Sequence, residues 1–356
     1  MTNKIPVGIL GATGTVGQRF IQLLDEHPWF EVTWLAASDR SAGKSYCEAA
    51  KWNLSTPLPA RIAAMKVAAS APDSSTPKLV FAALDATAAQ QIEPAFAAAG
   101  HAVVSNSSAF RMAEDVPLVI PEVNGDHLPI IKTQSWYKNN GGFMVTNPNC
   151  SAIGLVMALA PLHRRFGIDK VFVATMQAIS GAGYPGVPSM DILGNVIPYI
   201  AKEEDKMEAE SRKLLGSLKE DSLNGSHIAP AELALSAHCN RVAVEDGHTE
   251  SVSIKLRKPA QAEEIIAAWK EFSCLPQKLK LPTAPEQPVI YENAPDRPQP
   301  RLDRDRGRGM SAVVGRLRPC NIFDWKFTVL SHNTIRGAAG AALLNGELLK
   351  AQGYIS

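Results

Sequence analysis

The sequence has almost no excess of charge of either sign, since its 356 residues include 36 Lys and Arg against 35 Asp and Glu. A chain without a net field has no general means of attracting nucleic acid or an anionic membrane surface. It also lacks long apolar runs, and the first one, Ile5–Leu10, is too short for a signal peptide or a membrane span. We therefore expect a cytoplasmic protein with neither nucleic acid nor membrane as a partner.

Paired cysteines are missing as well. The five cysteines are scattered singly, at Cys47, Cys150, Cys239, Cys274 and Cys320. The sequence has neither the short paired spacings of a zinc site nor the dense, even pattern of a disulfide scaffold. Internal repeats of roughly 20 to 50 residues are absent too. These absences predict a reducing environment, no metal site and no repeat architecture.

The composition is that of a globular protein long enough for two domains, with 46% hydrophobic and 20% charged residues. Strand-like apolar runs alternate with helical stretches from Lys4–Leu10 to Phe143–Thr146. Such alternation predicts an α/β fold that starts with a Rossmann-like, doubly wound parallel sheet. We assign residues 1–149 plus 333–356 to this first domain, because the last helix, Thr334–Gln352, is expected to return to it.

The pattern changes after Cys150. A helix through about Phe166 is expected first, and three long apolar alternations follow, at Lys170–Ile179, Arg241–Leu256 and Met310–Val329. Alternation of this kind suits a mixed or antiparallel sheet, so residues 150–332 are predicted to form an α+β domain. The stretch Pro282–Arg308 is rich in Pro, Asp and Arg and is expected to be an exposed connection or arm.

A glycine-rich turn joins the first strand to the first helix, with glycines at Gly11, Gly14 and Gly17. Glycines at such a junction let backbone N–H groups approach a pyrophosphate at the helix N-terminus. The spacing has one residue more between the first two glycines than the standard G-x-G-x-x-G, and a tight turn without a ligand is the alternative. The context predicts a dinucleotide site formed by Gly11, Thr13, Gly14, Thr15 and Val16.

The end of the second strand indicates which dinucleotide is bound. Folds specific for NAD usually carry an acidic residue here, whereas this chain has Ser38, Asp39, Arg40 and Ser41. Cationic and hydroxyl groups suit the 2′-phosphate of NADP, so we expect Ser38, Arg40 and Ser41 to bind it. Asp39 leaves NAD open, because its carboxylate could instead serve a ribose.

Cys150 is the predicted nucleophile. The segment Asn147–Ser151 joins a strand to a helix, which places the thiol at the positive end of a helix dipole. That position is expected to lower the pKa of the thiol and to favour the thiolate. A lone cysteine is more often buried and inert, and for the other four cysteines this is the better interpretation.

His248 is the best candidate for the proton acceptor that a nucleophilic cysteine needs. Gly247 before it lets the backbone turn, whereas the other seven histidines have no comparable setting. Arg241 lies seven residues earlier, and an odd separation on one strand puts two side chains on opposite faces. The register must therefore break between them if both face one pocket.

Together these residues resemble the aspartate-semialdehyde dehydrogenase family, in its archaeal and fungal branch, and the resemblance runs nearly end to end. The motifs that carry it are Gly11–Gly17, Ser107–Arg111, Asn147–Ser151, Gln177–Gly186, Glu203–Lys206, Arg241–His248 and Asn333–Thr334. The resemblance implies an NADP-dependent enzyme of threonine, methionine and lysine biosynthesis. It would convert aspartyl phosphate to aspartate semialdehyde through a thioester on Cys150.

The resemblance also implies roles for further residues. Gln177 would orient the acyl group, and His248 would exchange the proton on the reacting oxygen or thiol. Ser180, Gly181 and Asn333 would line the cofactor. The substrate groups would meet Arg241 at the carboxylate, Glu203 at the ammonium, and Lys206 and Arg111 at the phosphate, with help from Asn149.

Several alternatives stay open at this level. Glu204 could replace Glu203 as the ammonium ligand, and without the resemblance Glu203 and Lys206 would be an exposed helix ion pair. A malonyl-CoA reductase or an N-acetylglutamyl-phosphate reductase of the same fold would need no ammonium partner. A catalytically inactive paralogue that acts as an assembly subunit is a further possibility. The family is dimeric at minimum, so a homodimer or homotetramer is expected.

Overall fold

The first sheet of the protein is entirely parallel. The computed structural model describes residues 4–221 and 225–355. The strands of this sheet are β1 (Ile5–Leu10), β2 (Phe30–Ala37), β3 (Val67–Ala69), β4 (Leu79–Ala82), β5 (Ala102–Ser105) and β6 (Phe143–Thr146). Their spatial order is β3-β2-β1-β4-β5-β6, which reverses direction beside β1. This confirms the predicted doubly wound sheet, whose ligand crevice lies where the order reverses.

Helices cover both faces of this sheet. They are α1 (Thr15–Leu24), α2 (Tyr46–Ala49), α3 (Ala60–Ala63), α4 (Ala86–Ala98), α5 (Pro121–Asn124), a 3₁₀ helix (Gly125–Thr133) and α6 (Ser135–Asn140). Every residue of β4, β5 and β6 is buried, as expected for central parallel strands. Asp85 caps α4 by accepting hydrogen bonds from the first backbone N–H groups of that helix.

The rest of the chain forms a second six-stranded sheet, an antiparallel pair of strands and helices that include one of 17 residues. Its elements are α7 (Cys150–Phe166), β7 (Ile168–Gln177), a 3₁₀ helix (Ile179–Ala182), α8 (Ser189–Ile192), α9 (Glu203–Leu214), β8 (Ser217–Asp221), β9 (Gly225–Ala229), β10 (Ala234–Arg241), β11 (His248–Leu256), α10 (Ala262–Lys270), α11 (Leu275–Lys278), β12 (Val289–Glu292), α12 (Pro300–Asp303), β13 (Ala312–Pro319), β14 (Trp325–Ser331), a π-helix (Ile335–Ala339) and α13 (Gly340–Ala351). The second sheet has the order β10-β7-β11-β14-β13-β12 and contains parallel and antiparallel pairs. This confirms the predicted mixed sheet.

The structure refines two sequence expectations about this region. The alternation from 241 to 256 is divided, because β10 ends at Arg241 and β11 starts at His248, on opposite sides of β7. The stretch Pro282–Arg308 is not only an exposed arm, since β12 within it pairs with β13 as the edge of the second sheet. Its proline and charge content comes from the turns on either side of β12.

The last helix packs against the first sheet, as predicted from the sequence. Leu343, Leu344 and Leu348 of α13 share one buried cluster with Val7 of β1 and Phe81 of β4. Helix α7 packs on β7, β11 and β14 and forms the centre of the other large core. Within the described residues, none of the helices combines the length and the apolar character that crossing a bilayer requires.

Candidate active site

A cleft of about 1390 Å³ opens at the carboxyl ends of the parallel strands β1, β2, β4, β5 and β6. The ends of β7 and β10 reach its far side. All predicted site residues except Gly11 and His248 line this cleft: Thr13, Gly14, Thr15, Val16, Ser38, Arg40, Ser41, Arg111, Asn149, Cys150, Gln177, Ser180, Gly181, Glu203, Lys206, Arg241 and Asn333. Gly11 and His248 lie directly behind the lining. The structure therefore brings the predicted residues together.

The glycine-rich turn has the shape that a pyrophosphate requires. Gly11 adopts a left-handed backbone with φ of 75°, and a Cβ on it would lie 2.4 Å from the carbonyl oxygen of Ala83. A Cβ on Gly17 would lie 2.3 Å from the carbonyl oxygen of Gly11, so both glycines permit close backbone packing. Gly14 faces the cleft with ample space, and the first turn of α1 has no acidic residue. The turn is thus open to an anion at the N-terminus of α1.

The polar group after β2 favours a phosphorylated ribose. Ser38, Arg40 and Ser41 line the cleft, and Lys44 joins them as a second cation. Asp39, which left NAD open in the sequence analysis, is exposed and does not line the cleft. Two cations and two hydroxyl groups complement a 2′-phosphate better than they complement free ribose hydroxyls.

Cys150 begins helix α7, and Asn149 before it is the N-cap. The Asn149 side-chain oxygen accepts hydrogen bonds from the backbone N–H groups of Ser151 and Ala152, at 2.9 and 3.0 Å. This capping holds the first turn of the helix together and orients Cys150 toward the cleft. A Cβ on Gly337 would lie 2.7 Å from the Cβ of Cys150, so the π-helix packs closely on the other side of the thiol.

The electrostatic setting of the thiol differs from the sequence expectation. Burial and then the Glu203 carboxylate raise the pKa of Cys150 to about 12, while Arg111 and Arg241 act in the opposite direction. The expected lowering by the helix N-terminus is therefore outweighed by desolvation and by a nearby negative charge. A thiol with this pKa is protonated at neutral pH.

His248 lies 3.2 Å from the Cys150 sulphur, measured from Nε2. Its other ring nitrogen, Nδ1, accepts a hydrogen bond of 3.0 Å from the backbone N–H of Ala178. A neutral imidazole that accepts at Nδ1 carries its proton on Nε2. Burial, Arg241 and His332 lower the pKa of His248 to about 3, which keeps the ring neutral. The geometry therefore presents an N–H donor to the sulphur, and in this tautomer Nε2 lacks the free lone pair that the expected proton acceptor for the thiol would need.

The strand arrangement explains how Arg241 and His248 share one pocket. Arg241 ends β10, which pairs with β7 so that Arg241 is opposite Gln177. His248 starts β11 on the other side of β7. Gly247, with φ of 104°, makes the turn that the sequence analysis required before His248. A Cβ on Gly181 would lie 2.9 Å from Arg241 Nη1, so this glycine leaves room for the arginine.

Helix phase distinguishes Glu203 from Glu204. Glu203 is buried at the cleft, where Oε1 accepts a hydrogen bond of 2.8 Å from the Asn149 side-chain amide. Its Oε2 lies 3.7 Å from the ammonium of Lys206. Glu204 points the other way, and its carboxylate accepts from the backbone N–H of Cys239 at 2.9 Å. Glu203 rather than Glu204 thus presents a carboxylate to the cleft.

Asn333 joins three loops around the cleft. Its side-chain oxygen accepts from the backbone N–H of Gly247, and its amide donates to the hydroxyl of Ser180, both at 2.8 Å. It therefore ties the loop before His248 to the 3₁₀ helix that carries Ser180 and Gly181. This contact gives Asn333 a structural role in addition to its place in the cleft wall.

Two residues that hold this site, Glu210 and Gly337, were not predicted from the sequence. Glu210 of α9 accepts hydrogen bonds from Arg111 and from the backbone of Asn149. Gly337 allows the π-helix to approach Cys150. Helix phase could have identified Glu210, which follows Glu203 by seven residues on the same face of α9. No local signal points to Gly337, because its neighbour is distant in sequence.

Comparisons with known proteins identify relatives over almost the whole chain. The family model described as semialdehyde dehydrogenase, NAD binding domain, matches residues 6–130, and the dimerisation domain model of the same family matches 159–336. Aspartate-semialdehyde dehydrogenase of Archaeoglobus fulgidus is 51% identical over 97% of this chain and 98% of its own length. The enzyme of Saccharomyces cerevisiae is 47% identical over the full length of both chains. The crystal structure of the Candida albicans enzyme with NADP is 45% identical, with a TM-score of 0.91, and the match covers 99% of this chain and 100% of that one.

Proposed function

Because this chain belongs to the aspartate-semialdehyde dehydrogenase family, we propose that it interconverts L-aspartyl 4-phosphate and L-aspartate 4-semialdehyde with NADP. The observation that carries this proposal is the contact of 3.2 Å between the Cys150 sulphur and His248 Nε2 in the cleft. A thiol beside an N–H donor, next to a dinucleotide turn, suits acyl transfer coupled to reduction. In biosynthesis the reaction is a reductive dephosphorylation.

NADP fits the residues of the cleft. The open turn at Gly14 suits the pyrophosphate, and Ser38, Arg40 and Ser41 suit the 2′-phosphate. Asn333 and the 3₁₀ helix that carries Ser180 and Gly181 form the wall beside Cys150. When bound, the cofactor supplies the hydride for reduction and accepts it in the reverse direction.

The proposed chemistry takes place on the Cys150 sulphur. In biosynthesis the Cys150 sulphur attacks the carbonyl carbon of the acyl phosphate, the carbon–oxygen bond to phosphate breaks, and phosphate leaves with the thiol proton, so that an acyl thioester remains on the sulphur. After reduction the carbon–sulphur bond breaks, the aldehyde is released and the sulphur takes up a proton from solvent. His248 donates the hydrogen bond from Nε2 to whichever atom, sulphur or carbonyl oxygen, carries negative charge. Gln177 holds the acyl group between Arg241 and His248.

Each charged group of the substrate has a complementary side chain in the cleft. Arg241, a planar two-pronged donor, binds the carboxylate, and Glu203 binds the ammonium group. Lys206 and Arg111 bind the phosphate, with the Asn149 amide beside them. An ammonium group at Glu203 offsets one of the two causes that raise the pKa of Cys150. Substrate binding therefore favours ionisation of the thiol.

A direct assay tests the proposed reaction. NADPH formation is followed with aspartate semialdehyde and phosphate, and malonyl-CoA reduction is measured in parallel. We expect phosphate-dependent NADPH formation and no activity with malonyl-CoA. Preference for the CoA thioester would favour the acyl-CoA reductase alternative, and inactivity with both would favour the inactive paralogue.

The role of Glu203 tests the substrate class. Glu203→Gln should lower kcat/KM for aspartate semialdehyde, because loss of one partner leaves the other buried at a cost of roughly 2 to 5 kcal/mol. An analogue without the amino group should lose little further in the variant. Lys206→Ala should instead raise the KM for phosphate and leave semialdehyde binding nearly unchanged. If both variants keep the wild-type KM and kcat/KM values, Glu203 and Lys206 form an ordinary helix ion pair and do not bind substrate.

We further propose that the protein is cytoplasmic and assembles as a homodimer or a dimer of dimers. The match to a dimerisation domain over residues 159–336 supports assembly. The exposed face of β7, which presents Phe172 and Met176, offers an apolar surface for a second copy. The other partners of the protein are the small-molecule substrates aspartate semialdehyde, aspartyl phosphate and phosphate.

A further inference from the structure

One face of helix α9 connects the cleft to two other parts of the chain. Glu203, Glu210 and Lys213 are spaced at intervals of seven and three residues and lie on the same side of the helix. All three are buried. Only Glu203 lines the cleft, so the other two belong to a layer behind it.

Glu210 is 2% exposed and uses both carboxylate oxygens. Oε1 accepts a hydrogen bond of 3.0 Å from Arg111 Nη1, and Oε2 accepts one of 2.6 Å from the backbone N–H of Asn149. Arg111 follows β5, whereas Asn149 follows β6 and precedes the nucleophile. A single carboxylate thus fixes the guanidinium and the residue before Cys150 at one relative position.

Lys213 fixes the backbone of the same arginine. Its ammonium donates to three carbonyl oxygens, those of Arg111, Ala113 and Val116, at 2.8, 2.8 and 3.1 Å. These contacts close the turn that follows Arg111 around the lysine. The backbone and the side chain of Arg111 are therefore both held by α9.

Arg111 keeps donors available for a ligand. Nη1 donates to Glu210, and Nη2 donates to the carbonyl oxygen of Asn106 at 2.7 Å. Nε is buried and has no hydrogen-bond partner among the described residues. A guanidinium has five N–H groups, so one N–H on each of Nη1 and Nη2 remains for an anion in the cleft. Two protein acceptors set the plane of the guanidinium in which those donors point.

We propose that Glu210 is a positioning residue that sets Arg111 and Asn149 for the phosphate of the acyl phosphate, with Lys213 as its second anchor. This inference rests on the proposed function, because it takes Arg111 as a phosphate ligand. A carboxylate behind the arginine has two opposite effects: its charge weakens anion binding, while its hydrogen bonds fix the geometry. The two buried contacts at 2.6 and 3.0 Å argue that geometry dominates.

Two variants separate geometry from charge. Glu210→Gln keeps the length of the side chain, but its NH₂ group cannot accept a hydrogen bond, so one of the two donors loses its acceptor. Glu210→Asp keeps the charge but is one methylene too short to serve both donors. The matched control is Glu208→Gln on the same helix, because among the described residues Glu208 accepts a hydrogen bond only from the backbone N–H of Ala237, at 3.1 Å.

The measurement is the KM for phosphate and for aspartate semialdehyde during NADPH formation, with the thermal midpoint recorded for each variant. Loss of a hydrogen bond to a charged group predicts a rise of about 10- to 100-fold in the phosphate KM for Glu210→Gln. Glu210→Asp should raise it too, with little change in the semialdehyde KM. Glu208→Gln should match the wild type. In the double variant Arg111→Lys/Glu210→Gln, the two increases should combine to less than their product.

Other outcomes overturn the inference. A lower phosphate KM in Glu210→Gln would show that the carboxylate acts through its charge. An unchanged phosphate KM, or equal changes in both KM values together with a lower thermal midpoint, would reduce Glu210 to a structural residue. If Glu210→Gln does not fold, Glu210→Asp decides by the same criteria. Failure of the proposed function would differ, because the wild type itself would then show no phosphate-dependent NADPH formation.

Discussion

At the scale of single residues, Cys150 is subject to opposing influences. Burial and Glu203 raise the pKa of its thiol, and Arg111 and Arg241 lower it. The pKa of the thiol therefore depends on the charges beside it, including those of a bound substrate. Replacement of sulphur by oxygen should remove this possibility, because a serine hydroxyl is far harder to ionise than a thiol.

Cys150→Ser should therefore lower kcat by more than about a thousandfold, as removal of other catalytic nucleophiles does. The fold and the affinity for NADP should stay as in the wild type, because the oxygen fits the same space. Steady-state kinetics, a thermal melt and a cofactor titration check the three parts. Substantial residual turnover would contradict a covalent mechanism on this residue.

Arg40 should determine the choice of cofactor. It is exposed at the cleft edge beside Ser38 and Ser41. Arg40→Ala should raise the KM for NADPH about 10- to 100-fold, the value of a lost charge-assisted contact, and should leave the KM for NADH nearly unchanged. Measurement of both KM values in one preparation tests this. An equal loss for the two cofactors would show that Arg40 does not contact the 2′-phosphate.

The buried carboxyl group of Glu250 should make the stability of the protein depend on pH. It is 1% exposed, two residues after His248 on β11, and neither carboxylate oxygen has a hydrogen-bond partner among the described residues. Burial and then Glu203 raise its pKa well above the ordinary value of 4.5. The folded state thus holds a proton that the unfolded state loses above pH 4.5, so this group destabilises the fold progressively as the pH rises.

Glu250→Gln removes this dependence, since the amide is neutral at every pH. The variant should be more stable than the wild type at pH 8, and the difference should shrink toward pH 5. Its slope should be about 1.4 kcal/mol per pH unit where the folded acid is protonated and the unfolded acid is ionised. Urea midpoints at the two pH values measure it. A difference that is the same at both would mean that Glu250 is ionised in the fold.

At the scale of elements, sequence pattern predicted what depends on local periodicity. The first strand, predicted at Lys4–Leu10, runs from Ile5 to Leu10, and the strand predicted at Phe143–Thr146 has those bounds. The pattern could not show that Arg241 and His248 lie on separate strands, because Asp246 and Gly247 read equally well as a bulge. Nor could it show that β12 joins the sheet, since edge pairing depends on a distant partner.

Site residues could be predicted only where they belong to a recognisable sequence motif. Cys150 and His248 were paired from their settings and from the family resemblance, and the structure brings them into contact. Glu210 contacts Asn149 and Gly337 packs on Cys150, and in each case more than sixty residues of chain separate the two partners. Sequence pattern does not show contacts between such distant residues. The pKa of Cys150 was expected to be low because the dipole is visible in the sequence, whereas burial is not.

The π-helix Ile335–Ala339 is expected to position Cys150 through Gly337. Arg336 within it is fully buried and donates two hydrogen bonds, of 2.8 and 2.7 Å, to the carboxylate of Glu122. The π-helix is therefore fixed where a Cβ on Gly337 would lie 2.7 Å from Cys150. Gly337→Ala should destabilise the protein by about 1 to 3 kcal/mol through overpacking and should lower kcat by displacing the thiol.

A second glycine provides the control for this variant. A Cβ on Gly125 meets only the flexible end of Leu348, at 3.1 Å and outside the cleft. Gly125→Ala should therefore leave kcat unchanged. Thermal melts and steady-state kinetics on both variants make the comparison, and equal kcat values in the two would show that Gly337 does not position Cys150.

At the scale of the whole molecule, two sheets meet at one cleft. The parallel sheet presents its carboxyl edge and the mixed sheet presents the ends of β7 and β10. This division was predicted from the change of pattern after Cys150, and the family prediction is confirmed by relatives that span the full chain. The proposed boundaries at 149 and 333 remain a prediction. Cys150 lies shortly after β6 of the parallel sheet and Asn333 shortly after β14 of the mixed sheet, so both lie where the chain leaves a sheet.

The mixed sheet has an exposed apolar face on which a second copy of the chain is expected to pack. Residues of β7 alternate between a buried face, which packs on α7, and a face where Phe172 and Met176 are 38% and 37% exposed. Apolar side chains on a sheet face are typical of a surface that a second copy covers. Met176 adjoins Gln177, so such a contact would support the strand end that enters the cleft. Light scattering at micromolar concentration should give twice or four times the mass of 38.3 kDa.

A charge on this face tests which surface makes the contact. Met176→Glu should shift the mass toward the monomer, because a carboxylate buried without a partner costs several kcal/mol, while Ile322→Glu at an equally apolar but 85% exposed position should not. Activity should fall with dissociation if the partner supports β7 beside Gln177. A wild-type protein that is monomeric and fully active would remove the expectation of assembly, and a dimeric Met176→Glu variant would place the interface elsewhere.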